Sequence, residues 1–284
     1  MTDDTAAKAV DIASAANPRV KAAVRLRDRR ERDRTGRTIV DGARELLRAI
    51  DGGVQVVEAY VHPRLITSPD ARAAMARLRQ AGSVVLSMSA AAFEKVAFGE
   101  RNDGIVAIVE TPATDIDRLH VPVDPLVMVV EAIEKPGNLG AIARTADGAG
   151  ADALIAASPI TDVFNPNAIR ASLGTVFTVP IAAAPSPDVV ALLRRVPVRI
   201  VAARVDADVL YSDVDLRGPV AIVVGNEAGG LSNAWSAADI TAVRLPMLGE
   251  ADSLNVSAAA AILLYEARRQ RGISRGPRHR AGPG

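Results

Sequence analysis

The stretch LPMLGEADSLNVSAAAAILLYEA, Leu245 to Ala267, decides how this chain is read. A short apolar run ends at Pro246. A polar, Gly-containing loop follows, and Ser253, Leu254 and Asn255 then open a long apolar helix. Helix N-termini present unpaired backbone N–H groups, so a loop that feeds one is a natural place for a polar ligand. Two other segments share this character: PGNLGAIARTADGAG, from Pro136 to Gly150, and GNEAGGLSNAW, from Gly225 to Trp235. Each follows an apolar run of strand length. Ligands of open parallel sheets collect beyond the carboxyl ends of the strands, so the three loops are expected to share one rim.

Working outward from these loops, strands are expected at Leu126 to Val130, Ala153 to Ala157, Val198 to Val205, Val220 to Val224 and Thr241 to Leu245. Helices are expected at Asn138 to Ala149, Asn167 to Leu173, Asp188 to Arg195 and Leu254 to Arg271, with Thr175 to Pro180 extended. Apolar runs with helices between them point to a mostly parallel sheet covered on both faces. The front half alternates as well: a short strand into the helix of Ala43, Leu46, Leu47 and Ile50, then strands at Val54 to Val61, Ser83 to Met88 and Gly104 to Glu110. Helices at Ala71 to Ala81 and Ala90 to Ala97 separate them. The expected division is a flexible N-terminus over 1–18, a first domain over 19–112, a linker over 113–125 marked by prolines, a second domain over 126–271 and a basic flexible tail over 272–284.

The 284 residues suffice for two modest domains, and 49% are apolar. Net charge is only +1, so any nucleic-acid surface must arise from local segregation of charge. Lys8, Lys21, Lys95 and Lys135 are the only lysines, and arginine supplies every other cation. Arginine offers planar, bidentate donors to phosphates. The absence of cysteine excludes disulfides and thiolate chemistry, and His62, His120 and His279 lie too far apart in sequence for a metal-ligand motif. No metal is expected. The opening MTDDTAAKAV is polar and acidic, unlike a secretory signal, and no apolar run has membrane-spanning length. A soluble cytoplasmic protein is the expectation.

The glycines do not form a GxGxxG dinucleotide turn, and no GxxxxGK[ST] phosphate loop is present. Taken singly, GNEAGG reads as a connection with turn glycines, and Ser253 or Asn255 as a helix cap. Arg144, six residues after Asn138, reads alone as a solvated helix position. The conjunction of three such loops, in this order and spacing, carries more than any one of them.

In that order the loops resemble the three motifs of the SpoU–TrmH family of RNA 2′-O-ribose methyltransferases, within the SPOUT superfamily. NLGAIART resembles the first motif, with Asn138 and Arg144 at its functional positions. GNEAGGLS resembles the second, with Glu227 at the acidic position, and LPMLGEADSLNVS the third, with Ser253 and Asn255 matching. Departures are small: Leu245 stands where isoleucine is common, and Lys135 precedes the first motif where other residues also occur. The resemblance implies an α/β fold whose C-terminal parallel sheet is tied into a trefoil knot binding S-adenosylmethionine. It also implies a homodimer with the active site at its interface. Ahead of it, RLRDRRERDRTGRTIVDGARELLRAI is similar to the small ribosomal-protein-like α/β domain that binds substrate in many members.

The implied catalytic set is Arg144, Asn138, Glu227, Ser253 and Asn255. The implied cofactor set is Gly225, Asn226, Glu227, Gly229, Gly230, Leu245, Met247, Ser253 and Leu254, with backbone groups of Met247 and Leu254 reading the adenine edge. Arg25, Arg27, Arg29, Arg30, Arg32, Arg34 and Arg37 are the expected RNA contacts, although Asp28, Glu31 and Asp33 interleave with them. The activity expected is ribose 2′-O-methylation, with large-subunit ribosomal RNA favoured over transfer RNA as substrate. The competing readings are a non-catalytic RNA-binding protein on the same scaffold, a doubly wound nucleotide enzyme and a knotted base methyltransferase.

Overall fold

The computed structural model describes residues 11–99, 102–226 and 229–272. The chain divides into two compact units, Met1–Pro112 and Ala113–Gly284.

The first unit opens with two short helices that hydropathy alone leaves as a basic segment. In α1 (Pro18–Arg25), Asn17 caps the helix through Arg19 N, Pro18 occupies the first turn, and Val20 and Ala23 are buried. In α2 (Arg29–Thr35), Asp28 accepts from Arg30 N, and Gly36 ends the helix at φ 64°. There follow β1 (Arg37–Asp41), α3 (Ala43–Asp51), β2 (Val56–Val61), α4 (Pro69–Gln80), β3 (Val84–Ser87), α5 (Ala90–Val96) and β4 (Ile105–Glu110). The sheet runs β1-β4-β2-β3, antiparallel except for the parallel β2–β3 pair. Ile39, Tyr60, Phe93, Val106 and Ile108 form its core together with Val20 of α1.

Residues 11–18, expected to be flexible, are tied to this core. Ile12 is buried and bridges Met88, Asp11 accepts from Ser87 N, and Ser89 Oγ donates to Ala13 O. A single buried apolar residue inside a polar stretch anchors the segment without changing its average composition. Residues 1–10 and the expected tail from 273 onward lie outside the described residues.

The second unit contains β5 (Leu126–Glu131), α6 (Pro136–Ala149), β6 (Ala153–Ala157), α7 (Pro166–Ala171), β7 (Ile181–Ala184), α8 (Ser186–Arg195), β8 (Arg199–Ala203), β9 (Val220–Val224), β10 (Ile240–Val243) and α9 (Val256–Arg271). Its six strands are ordered β10-β8-β9-β5-β6-β7 and every pair is parallel. Alternate strand residues face opposite sides. Val127, Val129, Ile155 and Val223 pack with Val189 and Leu193 of α8 and with Trp235. Met128, Val130, Ile222 and Val224 are equally buried on the other face. Helix α6 packs against both α7 and α9. Gly140 makes the α6–α7 approach possible: a Cβ there would lie 2.7 Å from Ala171 Cβ and 2.9 Å from Ser172 N. Arg268 of α9 donates to Ala149 O (2.7 Å) and Gly150 O (2.9 Å), satisfying carbonyls at the C-terminus of α6.

Two expectations change here. The 113–125 segment belongs to the second unit: Ile116, Leu119 and Val121 pack on its core, and Thr114 O accepts from Ala183 N. The expected extended run from Thr175 to Pro180 opens as a 3-10 turn, Thr175–Phe177, and the strand begins only at Ile181. Leu173 and Gly174 take positive φ and reverse the chain, after which Val176 and Phe177 tuck inside. β-branched residues there fill the core instead of lying along a pleat.

Candidate functional site

Six parallel strands place all their carboxyl ends on one edge of the sheet. The chain steps from β5 to β6 and β7 on one side, while β9 flanks β5 on the other. The β5/β9 boundary is therefore the topological switch point, where crevices open in such sheets. The connection 132–135 leaves β5 there, and the loop beginning at Gly225 leaves β9 beside it.

That second loop folds back on itself. Gly230 N donates to Asn226 O (2.9 Å), and Gly230 has φ 64°. A Cβ on Gly225 would stand 2.5 Å from Gly230 C and 2.7 Å from Leu231 N, so the fold-back needs glycine at 225. Gly229 has open space around it, and both it and Gly230 are exposed, which leaves their backbone accessible. Glu227 lies outside the described residues.

Both ends of this loop are fastened to the residues that follow β5. Asn226 Nδ2 donates to Ala132 O (3.1 Å) and to Glu134 Oε1 (2.8 Å). At the other end, Ser232 N donates to Glu131 Oε2 and Ser232 Oγ to Glu131 Oε1, both at 2.7 Å. Ser186 Oγ, in the first turn of α8, donates to the same carboxylate, and Ser186 N donates to Ser158 Oγ after β6 (3.0 Å). Glu131 is 3% exposed. Burial alone would raise its pKa, but hydrogen bonds from Ser186 and from the backbone and hydroxyl of Ser232 outweigh burial and hold the carboxyl below its ordinary value. Glu131, Glu134, Ser186 and Ser232 are absent from the residues the sequence suggested. The available signal was an acid closing an otherwise apolar, fully buried strand, since a buried carboxylate requires partners.

The third loop leaves β10 at the sheet edge. It ends at Asn255, which caps α9 by accepting from Ser257 N (3.0 Å). Asn255 Nδ2 donates to Asn138 Oδ1 (3.3 Å) in the first turn of α6. The chain thus passes from the β10 edge, beyond β8 and β9, to the helix that follows β5. Leu245 and Met247 are half-buried on this loop, while Ser253 and Leu254 are exposed. They give an otherwise polar rim an apolar face. Arg144 projects from α6 as an exposed side chain, with no hydrogen-bond or ion-pair partner among the described residues. The structure therefore joins Asn138 to Asn255 and links Asn226 to the first loop. It does not bring Arg144 against either asparagine, since a six-residue separation rotates it to another face of α6.

In the first unit the arginine cluster divides by role. Arg32 is buried, and its Nη1 donates to Leu26 O (2.9 Å) and Arg27 O (2.8 Å). Arg27 Nη2 donates to the carbonyls of Lys95, Val96 and Ala97 at the end of α5, and its guanidinium lies 5.1 Å from the Phe98 ring centroid. Partial burial lowers the Arg27 pKa, and the nearby Asp41 charge only partly offsets it. Arg32 is thus held inside the fold, contrary to the expectation for it, whereas Arg27 braces the end of α5 from an exposed position. Arg25 and Arg34 pair with Glu31, Arg29 with Asp33, and Arg37 with Glu110. All of these arginines are exposed, as is Arg30. Such surface pairs are worth little and exchange readily for phosphate.

Among the described residues no cluster of His, Asp or Glu could hold a metal ion, and no helix is long and apolar enough to cross a membrane.

Comparison with known proteins agrees with this geometry. Residues 125–265 match the SpoU rRNA Methylase family, and residues 17–107 match an MRM3-like substrate binding domain. A 23S rRNA (uridine(2479)-2′-O)-methyltransferase of Streptomyces viridochromogenes is 35% identical over 255 residues, covering 87% of each chain. A 23S rRNA (guanosine(2553)-2′-O)-methyltransferase of Bacillus subtilis is 28% identical, covering 90% of this chain and 98% of the relative. Among solved structures, the AdoMet-bound rRNA methyltransferase of Sinorhizobium meliloti superposes with a TM-score of 0.82 at 30% identity, covering 91% of this chain and 97% of that one. An RNA 2′-O ribose methyltransferase reaches a TM-score of 0.80 at 39% identity, covering 91% and 98%.

Proposed function

The chain belongs to the SpoU rRNA Methylase family, and from that premise we propose that it methylates a ribose 2′-hydroxyl of large-subunit ribosomal RNA using S-adenosylmethionine. The observation that carries this reading is the convergence of three loops at the β5/β9 switch point, fastened by the Asn226–Ala132 and Asn255–Asn138 hydrogen bonds. The site suits that cofactor. The exposed backbone at Gly229 and Gly230 admits close approach of a polar group, and Leu245, Met247 and Leu254 offer apolar surface for an adenine. Gly225 and Asn226 hold the loop in shape, and Glu227 and Ser253 complete the binding set. When bound, S-adenosylmethionine supplies the electrophilic methyl group.

The protein must align the ribose oxygen and favour loss of its proton. Asn138 and Asn255 fix the rim that receives the ribose. Arg144 is the electrostatic activator. Its guanidinium has a pKa above about 12 and is a poor proton acceptor, so it acts by stabilising developing negative charge or by pinning a phosphate. Its outward position suits a homodimer in which it reaches the partner's site. Gly148 lies one turn beyond Arg144, next to the Tyr265 hydroxyl, and Ile262 and Tyr265 are exposed on the neighbouring α9. That apolar face is the proposed two-fold interface. The passage of the third loop from β10 across β8 and β9 supports a trefoil knot in this unit. The first unit, over 19–112, is the RNA-binding domain, with Arg25, Arg29, Arg30, Arg34 and Arg37 as its phosphate contacts. A cytoplasmic location fits that substrate.

The test is methyl transfer from labelled S-adenosylmethionine to ribosomal RNA and, separately, to transfer RNA from a strain lacking the gene. Label in ribosomal RNA as a 2′-O-methylated nucleoside is expected. Label in transfer RNA alone would replace the substrate, and failure to bind the cofactor would leave an RNA-binding protein on this scaffold.

A further inference from the structure

We infer that Glu131 is a positioning residue: its carboxylate, at the carboxyl end of β5, latches Ser232 and so holds the 229–232 limb of the second loop in place to receive S-adenosylmethionine. The inference deepens the proposed function and rests on it for the identity of the ligand. The latch itself rests on geometry. One carboxylate takes Ser232 N on Oε2 and Ser232 Oγ on Oε1, and also the Ser186 hydroxyl. Ser232 stands two residues after Gly230, whose amide closes the loop on Asn226 O. Asn226, at the other end of the loop, is held by the residues that follow Glu131 in sequence, at Ala132 O and Glu134 Oε1. The segment 131–134 is therefore the common seat of both feet of the loop.

A buried carboxylate is costly to leave unpaired, so Ser232 and Ser186 are drawn to it whether or not a ligand is present. The 229–232 limb is thereby held in advance of binding, which reduces the ordering cost that binding must meet. Ser186 donates to the same oxygen, Oε1, as the Ser232 hydroxyl, but it does so from a different element. It joins Glu131 to α8 and to Ser158, away from the loop. The two serines thus separate support of the loop from support of the fold.

The experiment compares Glu131→Gln, Ser232→Ala and Ser186→Ala in the full-length protein. Three quantities are read: cofactor affinity by calorimetry, thermal stability, and hydrogen exchange at the amides of Gly225, Asn226, Gly230, Leu231 and Ser232. A Gln has one accepting oxygen and no charge, so it cannot take Ser232 N and both serine hydroxyls as donors together, and the charge-assisted bonds are lost. Glu131→Gln should weaken cofactor binding on the order of ten-fold. It should raise KM for the cofactor while leaving kcat at saturation within about two-fold, and it should speed exchange at those amides. Ser232→Ala should do the same to a smaller degree, because its backbone N–H still donates. Ser186→Ala should lower thermal stability while leaving affinity and loop exchange unchanged. Wild-type affinity and exchange in both Glu131→Gln and Ser232→Ala would overturn the inference. So would parallel losses of affinity and stability in all three variants, which would make the carboxylate a general support of the fold. If the wild-type protein bound no S-adenosylmethionine, the proposed function would fall, and the exchange measurement would still decide the latch.

Discussion

Replacing Gly225 by alanine puts a steric question to the second loop. Gly225 is not in the left-handed region, so an alanine there meets no backbone penalty. Its methyl group would instead stand 2.5 Å from Gly230 C and 2.7 Å from Leu231 N. Carbon contacts are comfortable at about 3.5–4.0 Å, so the loop must retreat by about 1 Å or bear the strain. Overpacking of this kind costs about 1–3 kcal/mol. The loss of unfolded-state freedom on changing Gly to Ala returns about 0.4–1 kcal/mol. A net of about 1–2 kcal/mol corresponds to a fall in Tm of about 2–8 °C if the strain stays in the fold. It corresponds to about a five- to thirty-fold loss in cofactor affinity if the loop retreats. Calorimetry with S-adenosylmethionine and a thermal melt on the same preparation read both. Gly229→Ala is the control, because nothing lies within 4 Å of its added carbon, and its Tm should equal or slightly exceed that of the wild type. Wild-type Tm together with wild-type affinity in Gly225→Ala would refute the close fold-back of Gly230 on Gly225.

Four further outcomes follow from the same structure. Gly140→Ala drives a methyl group into Ala171 and Ser172 of the α7 region and should destabilise the second unit by about 1–3 kcal/mol, read by denaturant unfolding. Asn255→Ala removes the α9 cap and the bond to Asn138; a stability loss of about 1 kcal/mol is expected from the cap, with a fall in methyl-transfer rate beyond what unfolding explains. Arg27→Ala and Arg30→Ala should behave oppositely. The first loses three carbonyl partners and should melt earlier, whereas the second should keep its Tm and weaken RNA binding with a shallower salt dependence, measured by titration at several salt concentrations. Finally, Glu131 has a depressed pKa in the folded state, so its contribution to stability is complete above the unfolded carboxyl value near 4.3 and is lost as pH falls through the lower folded value. The stability gap between the wild type and Glu131→Gln should therefore narrow below about pH 4, and a gap constant down to pH 2 would contradict an ionised latch.

Much of the fold is legible because its strands are uniformly apolar and separated by helices. Leu126 to Val130, Ala153 to Ala157 and Val220 to Val224 read as buried parallel strands, and they are, the first running one residue further to Glu131. Helix α6 begins two residues before Asn138 because Pro136 fits the first turn. The 175–180 segment misleads because β-branched residues suit a tucked turn as well as a strand, and only the positive φ at Leu173 and Gly174 decides between them. Arginines are the hardest residues to assign from sequence. Arg30 and Arg32 are two positions apart on α2, yet one is exposed and the other buried against carbonyls. Their roles depend on which face of a seven-residue helix turns inward, and a run of charges gives no apolar stripe from which to judge. The residues proposed for catalysis and cofactor binding stand out only as a conjunction of loops. For the cluster of Glu131 with Ser232 and Ser186, only the acid closing β5 gave a signal; its partners did not, because they lie 101 and 55 residues away.

Incubation of 23S rRNA with labelled S-adenosylmethionine, followed by complete alkaline hydrolysis of the product, tests the central claim most directly. Alkali cleaves RNA through a free 2′-hydroxyl, so a methylated ribose protects the adjoining phosphodiester. The predicted result is label in an alkali-stable dinucleotide, lost when Arg144 is replaced by alanine. Label recovered only in mononucleotides would place the methyl group on a base and contradict ribose methylation at this site.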